Sequence, residues 1–319
     1  WTRLLDDFDY VPNVIEVLLA GTQSSIQDFP GRVGYWDIGV PPSGPMDDYA
    51  FQLANQIVGN DASAAGFEFT LQGPSLKFHQ DTVIALTGAP CPAQLDDKPV
   101  DFWQPIHICA GQVLSLGQVE SGCRSYLAVR HGLDVPLYLG SRSTFALGNF
   151  GGHAGRMLRA GDMIKLVNTA HPNSDIPLAI QEPQALSSAL IPSYGKEWKI
   201  GVLYGPHGAP DFFKPEYIEE FFASEWTVHF NSNRLGIRLS GPIPSWAREN
   251  GGEAGLHPSN VHDCEYAIGA INFTGDFPVI LAKDGPSLGG FVCPVTIAKA
   301  ELWKVGQLKA DDKISFYPL

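Results

Sequence analysis

The residues best placed to do chemistry flank one short apolar strand, within INFTGDFPVILAKDGPSLGGF from Ile271 to Phe291. Asn272, Thr274 and Asp276 precede the run Val279-Ile280-Leu281-Ala282, and Lys283, Asp284 and Ser287 follow it. A buried strand holds such polar ends rigidly, which suits a site built from opposite charges. Lys283-Asp284-Gly285-Pro286 leaves the strand through a Pro/Gly turn, and Gly289-Gly290 lets backbone approach a bound group without Cβ obstruction. The same string also reads as an ordinary hairpin whose lysine and aspartate are solvated.

Two further clusters carry polar chemistry. His257, Asn260, His262 and Asp263 suit substrate binding or proton handling, because histidine changes charge near neutrality. They also suit a turn in which side chains satisfy backbone groups. His-x4-His-Asp lacks a fourth donor, so no metal centre is expected. Arg142, between Ser141 and Ser143, offers a planar fork with neutral donors beside it, for a carboxylate or as a brace for the glycine-rich stretch 130–161. Asp28 and Arg32 read as a structural ion pair. Gly151 to Gly155 is no GxGxxG loop in a βαβ context, so a nucleotide site is not indicated.

These residues need elements to position them. A chain of 319 residues is long for one core and predicts two domains. Gly 34 and Pro 25, with only 17% charged residues, favour short strands joined by turns, hence a mainly β protein with a few short helices. Strands are expected in Val14 to Leu19, Glu68 to Phe78, Val83 to Thr87, Ile106 to Ala110, Val113 to Leu116 and Ser125 to Val129. In the second half they are expected in Trp198 to Leu203, Thr227 to Phe230, Ile237 to Ser240 and Lys313 to Tyr317. Asp47 caps a helix running to Val58, and Pro215 opens a second with Ile218, Phe221 and Phe222 on its apolar face. The loose stretch 169–196 divides the chain into a lead-in (1–13), a first unit (14–168), a linker (169–196) and a second unit (197–319).

The halves echo each other. LQGP at Leu71 answers LSGP at Leu239, GCRSYLAVRHG at Gly122 answers GDFPVILAKDG at Gly275, and LRAGDMIKL at Leu158 answers LKADDKISF at Leu308, at offsets of 168, 153 and 150. The order is kept, as in a tandem duplication. Arg130-His131-Gly132 and Lys283-Asp284-Gly285 then become equivalent strand exits.

Composition also excludes partners. A net charge of −13 without a Lys/Arg cluster argues against nucleic acid. Cys91, Cys109, Cys123, Cys264 and Cys293 form no CxxC pair, and a reducing cytoplasm is expected. No apolar run is long enough to span a membrane. The first residue is Trp1, which reads as the start of a piece of something longer.

Longer strings bring a family into view. SIQDFPGRVGYWDIGVPPSGPMD (Ser25 to Asp47), ANQIVGN (Ala54 to Asn60), YLGSRSTF (Tyr138 to Phe145) and GGHAGRMLRAGD (Gly151 to Asp162) resemble the KipA-like family, whose members are also called allophanate hydrolase subunit 2 or a 5-oxoprolinase subunit. RLGIRLSGP (Arg234 to Pro242), HPSNVHD and GAINFTGDFPVILAKDGPSLGGF (Gly269 to Phe291) are similar to the version in the carboxyltransferase region of urea carboxylase and urea amidolyase. The likeness runs from about Ile15 to Phe316.

That resemblance implies two cyclophilin-like β-barrels in tandem, forming the KipA-like half of a carboxyltransferase that moves a carboxyl group from carboxybiotin to urea. The partners implied are a KipI-like half, a biotin carrier domain and an ATP-using biotin carboxylase domain; this chain holds no AMKM-like biotinylation site. Urea has N–H donors and one carbonyl, and Asn272, Asp276, Lys283 and Asp284 supply matching groups within 13 positions. Lys283, Asp284 and Asp276 are therefore expected to be catalytic. Asn272, His257, Asn260, His262, Asp263, Ser141 and Arg142 are expected to bind substrate, and Gly289 and Gly290 to admit the cofactor. The resemblance leaves open a 5-oxoprolinase component, a guanidine-type carboxylase and a non-catalytic binding protein.

Overall fold

The computed structural model describes residues 13–168, 179, 181–248 and 251–319. The expected lead-in lies outside them apart from Asn13, as do 169–178 and 180 of the expected linker. In chain order the first half forms β1 (Val14–Leu19), β2 (Gln23–Gln27), α1 (Asp48–Ile57), β3 (Gly66–Thr70), β4 (Ser75–Phe78), β5 (Thr82–Gly88), β6 (Ala93–Leu95), β7 (Lys98–Pro99), β8 (Pro105–Ile108), β9 (Val113–Leu116), β10 (Arg124–Val129) and β11 (Met163–Lys165). They make a six-stranded sheet, β11-β1-β4-β9-β6-β7, and a five-stranded sheet, β2-β3-β10-β5-β8. Ile15, Val17 and Leu76 of one sheet share a core with Phe67, Leu86 and Leu127 of the other. The stretch Glu68 to Phe78 divides at Leu71-Gln72-Gly73-Pro74, where the chain passes between sheets, with Leu71 at φ 62°. Asp47 caps α1 as expected, its Oδ1 accepting from the Ala50 N–H at 2.9 Å.

The second half adds β12 (Glu197–Tyr204), α2 (Pro215–Ala223), β13 (Trp226–Val228), β14 (Gly236–Ser240), β15 (Asn260–Glu265), β16 (Ala270–Thr274), β17 (Phe277–Leu281), β18 (Leu288–Phe291), β19 (Val295–Ile297), α3 (Leu302–Val305) and β20 (Lys313–Pro318). Seven strands close a barrel in the order β12-β19-β16-β17-β14-β13-β20, while β15 and β18 form a separate two-stranded ribbon. Closure leaves that barrel no free edge. Helix α2 buries Tyr217 and Phe221, against Phe273, Trp226 and Phe316, with Ile218 and Phe222 only partly covered. The internal echo holds for single strands better than for their pairing. β10 and β17 each lie between antiparallel neighbours, yet β1 meets β11 antiparallel whereas β12 meets β20 in parallel.

A buried polar seam joins the halves. Arg234 donates to both oxygens of Asp284 (Nε–Oδ2 2.8 Å, Nη2–Oδ1 3.1 Å), to Glu68 Oε1 (2.6 Å) and to the Gly44 carbonyl (2.8 Å). Glu68 Oε2 accepts from the Met46 N–H and the Tyr126 hydroxyl. Burial pushes the Glu68 carboxyl up, but Arg234 and Arg124 outweigh it and leave Glu68 below the usual carboxylate range. Beside this cluster Gln307 receives the Cys123 and Arg124 N–H groups and donates to Asp47 Oδ2 at 2.7 Å.

Among the described residues Asp47 has no cation of this kind. Burial pushes its carboxyl up to about 7, against the hydrogen bonds from Ala50 and Gln307. The folded chain thus keeps a proton that the unfolded chain releases in the ordinary carboxylate range. This contribution to stability is full below that range and declines as pH rises towards 7, by up to about 4 kcal/mol. Asp47→Ser keeps a capping oxygen without the charge, so its stability relative to the parent is expected to improve between pH 5 and pH 8 in chemical denaturation. Identical pH dependence of the two proteins would contradict this.

Candidate active site on the second unit

The focal stretch folds as the hairpin β16–β17, with Asn272 opposite Val279 and Thr274 opposite Phe277. That register closes it through Gly275-Asp276, and Gly275, at φ 63°, supplies the left-handed conformation a tight hairpin turn needs. Asp276 therefore stands at the tip. Alternation sends Ile271, Phe273 and Ile280 into the barrel core, and turns Ala270, Asn272 and Leu281 to the other side.

The β15–β18 ribbon covers that outer side. The Phe291 N–H donates to the Tyr266 hydroxyl at 2.9 Å and the Phe273 N–H to the Val292 carbonyl at 3.0 Å. Asn272 is 2% exposed, and neither its Oδ1 nor its Nδ2 completes a hydrogen bond. A buried amide with unused donors and acceptor carries a desolvation cost that packing alone does not explain. The Tyr266 phenol beside it is raised by burial, and the Asn272 amide lies near enough to that hydroxyl to pull the other way without being aligned for a hydrogen bond. A Cβ on Gly289 would collide with the Tyr266 hydroxyl, and one on Gly290 would meet the Val261 carbonyl at 2.8 Å. The two glycines thus let the ribbon pack on itself, and the close approach expected of them is to Tyr266 and Val261. Asn260 opens β15 opposite Phe291, and His262 and Asp263 stand exposed on the same strand, without side-chain hydrogen bonds to the described residues.

At the hairpin tip two side chains converge on Asp276. Trp246 donates its Nε1–H to Oδ1 at 3.2 Å, and His257 Nε2 lies 3.4 Å from the same oxygen. His257 Nδ1 is 3.0 Å from the Ser259 hydroxyl and 3.2 Å from the Ser259 backbone nitrogen. Arg248 fastens this loop by donating to the Asn260 carbonyl at 2.7 Å.

The other end of β17 is differently occupied. Both Asp284 oxygens are taken by Arg234, and Lys283 Nζ lies 3.4 Å from Asp48 Oδ2 of α1. Lys283 and Asp284, expected to be catalytic together with Asp276, stand at the other end of β17 from it. A strand rises about 3.3 Å per residue, so β17 separates Asp276 from Lys283 by roughly 20 Å. Asn272, opposite the middle of β17, lies between the two ends.

Ser141 and Arg142 belong to the first unit. Asp28 Oδ1 accepts from the Ser141 and Ser143 hydroxyls at 2.5 and 2.6 Å, its Oδ2 accepts from the Arg142 N–H, and Arg142 Nε donates to the Val135 carbonyl. The expected Asp28–Arg32 ion pair is replaced by a shared task. Arg32 donates to the Tyr138 and Ser143 carbonyls and lies over the Phe150 ring, so both residues brace the same loop. Sequence reasoning missed Arg234, Glu68, Trp246, Ser259 and Tyr266. Arg234 and Ser259 lie inside the quoted strings RLGIRLSGP and HPSNVHD, while Glu68 and Trp246 had no local signal. Among the described residues no group of three or more His, Cys, Asp or Glu side chains is placed to hold a metal ion, and no helix is long and apolar enough to cross a membrane.

The carboxyltransferase domain family, subdomain A and B, matches residues 38–318. The chain belongs to that family. This carboxyltransferase chain is 57% identical over 320 residues to urea amidolyase of Lachancea kluyveri, covering 100% of this chain and 18% of that protein. The crystal structure of Kluyveromyces lactis urea carboxylase superposes with a TM-score of 0.95 at 56% identity, over 100% of this chain and 28% of that one. A 5-oxoprolinase subunit of Escherichia coli is 32% identical over 304 residues, 95% of this chain and 90% of that protein. The carboxyltransferase chain therefore spans less than a fifth of its urea amidolyase relative, and nearly the whole of the 5-oxoprolinase subunit.

Proposed function

We propose that this chain is the KipA-like half of the carboxyltransferase of a biotin-dependent urea carboxylase, holding urea while it receives a carboxyl group to become allophanate. The observation that carries the reading is the 57% identity to urea amidolyase over the full chain, against 32% to the 5-oxoprolinase subunit. The remaining parts belong to the rest of the polypeptide: a KipI-like half, a biotin carrier and an ATP-using biotin carboxylase, all in the cytoplasm. Carboxybiotin, when delivered, supplies an activated carboxyl group. The unused amide of Asn272 suits both urea and a ureido ring, since each presents N–H donors and a carbonyl.

In this reading Asn272 Oδ1 accepts from a urea amide and its Nδ2 donates to the urea carbonyl, a pairing that fixes one orientation. Ligand reaches it when the β15–β18 ribbon lifts, with Asn260, His262 and Asp263 at the rim. Closing the ribbon again excludes water from the reacting groups. Lys283 and Asp284 hold the seam and keep β17 in place, and Ser141 and Arg142 hold the first-unit loop. The complete polypeptide is expected to cleave ATP in response to urea, and not to 5-oxoproline or guanidine. A response to 5-oxoproline instead of urea would overturn the assignment.

A further inference from the structure

The contacts around Asp276 determine where protons sit. The Ser259 N–H can only donate, and it points at His257 Nδ1 from 3.2 Å, so that nitrogen carries a lone pair. The ring proton is then on Nε2, facing Asp276 Oδ1 at 3.4 Å. The Ser259 hydroxyl donates to Nδ1 at 3.0 Å and accepts from the Gly275 N–H at 3.1 Å, tying the histidine loop to the turn that bears Asp276. Trp246 completes the corner. Its ring stands at 90° to His257 with centroids 5.6 Å apart, and it is anchored against Phe213 and Phe273. Oδ1 of Asp276 thus receives the Trp246 N–H and faces His257 Nε2, while Oδ2 has no protein donor among the described residues and the side chain is 42% exposed. Ser259 itself is fully buried and cannot act as a nucleophile.

Building on the urea reading, we propose that Asp276 Oδ2 is the proton acceptor at this site, and that Ser259, His257 and Trp246 are positioning residues that aim it. Transfer of the carboxyl group to urea would replace an N–H bond of urea by an N–C bond; Asp276 Oδ2 would hold the proton released, and the nitrogen freed of the carboxyl group would be its final acceptor. The Trp246 N–H and the facing imidazole hold Oδ1 without consuming the oxygen that must take the proton.

Two measurements test this. In the purified chain, ring ¹⁵N–¹H correlation spectra are expected to show neutral His257 as one tautomer, protonated on Nε2. Ser259→Ala should give a mixture and Ser259→Thr should restore the single form. In the complete polypeptide, Ser259→Ala is expected to lower kcat about tenfold with the KM for urea within twofold, and Ser259→Thr to recover it. Asp276→Asn should lower kcat by about 10²-fold or more. A ring protonated on Nδ1, or an Asp276→Asn enzyme with near-normal kcat, overturns the proposal. If the urea reading alone is wrong, turnover follows another amide while the tautomer and the Asp276→Asn loss persist, which supports the relay.

Discussion

Arg234→Met is expected to lower the unfolding free energy of this chain by about 3–5 kcal/mol, because it leaves the buried Asp284 carboxylate without its cation and the buried Glu68 carboxylate with Arg124 alone. Arg234 has 6% exposure and binds Asp284, Glu68 and the Gly44 carbonyl together. Burial alone would lower its pKa, yet Asp284 and Glu68 raise it above the ordinary arginine value, so the pairing outweighs desolvation. Lysine cannot replace it, since only a planar fork reaches three acceptors on two units at once. Adding Glu68→Gln and Asp284→Asn to Arg234→Met should recover part of the loss, as the uncompensated charges disappear. Guanidinium denaturation checks this, and a loss below about 1 kcal/mol would show the seam to be better hydrated than its burial indicates.

Asn272→Leu is expected to have opposite effects on stability and on function. The amide is buried with its hydrogen-bonding groups unused, so an apolar side chain of similar volume should stabilise the isolated chain by about 1–3 kcal/mol. The same change removes the paired acceptor and donor offered to urea. A site built around hydrogen bonds to its substrate loses heavily when one side is left unmatched, and the KM for urea should rise by about 10- to 100-fold. A residue that costs stability and supports turnover is what a binding site requires of its fold. Loss of stability in Asn272→Leu would instead mark the amide as a structural group.

Much of this was readable in the sequence, and the failures have physical causes. Val14 to Leu19, the Asp47 cap and the short strands followed from alternation and turn chemistry, which act over a few residues. Lys283 and Asp284 stand apart from Asp276 because nearness along a chain is not nearness in space. An intervening extended strand carries its two ends far apart. Asp284 read as chemistry because its partner, Arg234, lies 50 residues earlier and the second carboxylate on that arginine, Glu68, lies 166 residues earlier than Arg234. Trp246 and Ser259 were silent for a related reason: their importance lies in the atom of Asp276 or His257 that each reaches. Asn272 was recognised by type, but only burial showed its amide unpaired.

The central claim is that the ribbon-covered face holding Asn272 receives urea, and that the Lys283 turn serves the seam. The most direct test is steady-state kinetics of the complete polypeptide carrying Asn272→Leu or Lys283→Ala, with ATP cleavage driven by free biotin measured in parallel. Asn272→Leu should raise the KM for urea by about 10- to 100-fold, Lys283→Ala should leave urea-dependent turnover within about twofold, as for a partly exposed ion pair, and biotin-driven ATP cleavage should survive in both. An unchanged urea KM in Asn272→Leu, together with a loss of about 10²-fold in urea-dependent turnover in Lys283→Ala, would contradict the account and return the chemistry to the far end of β17.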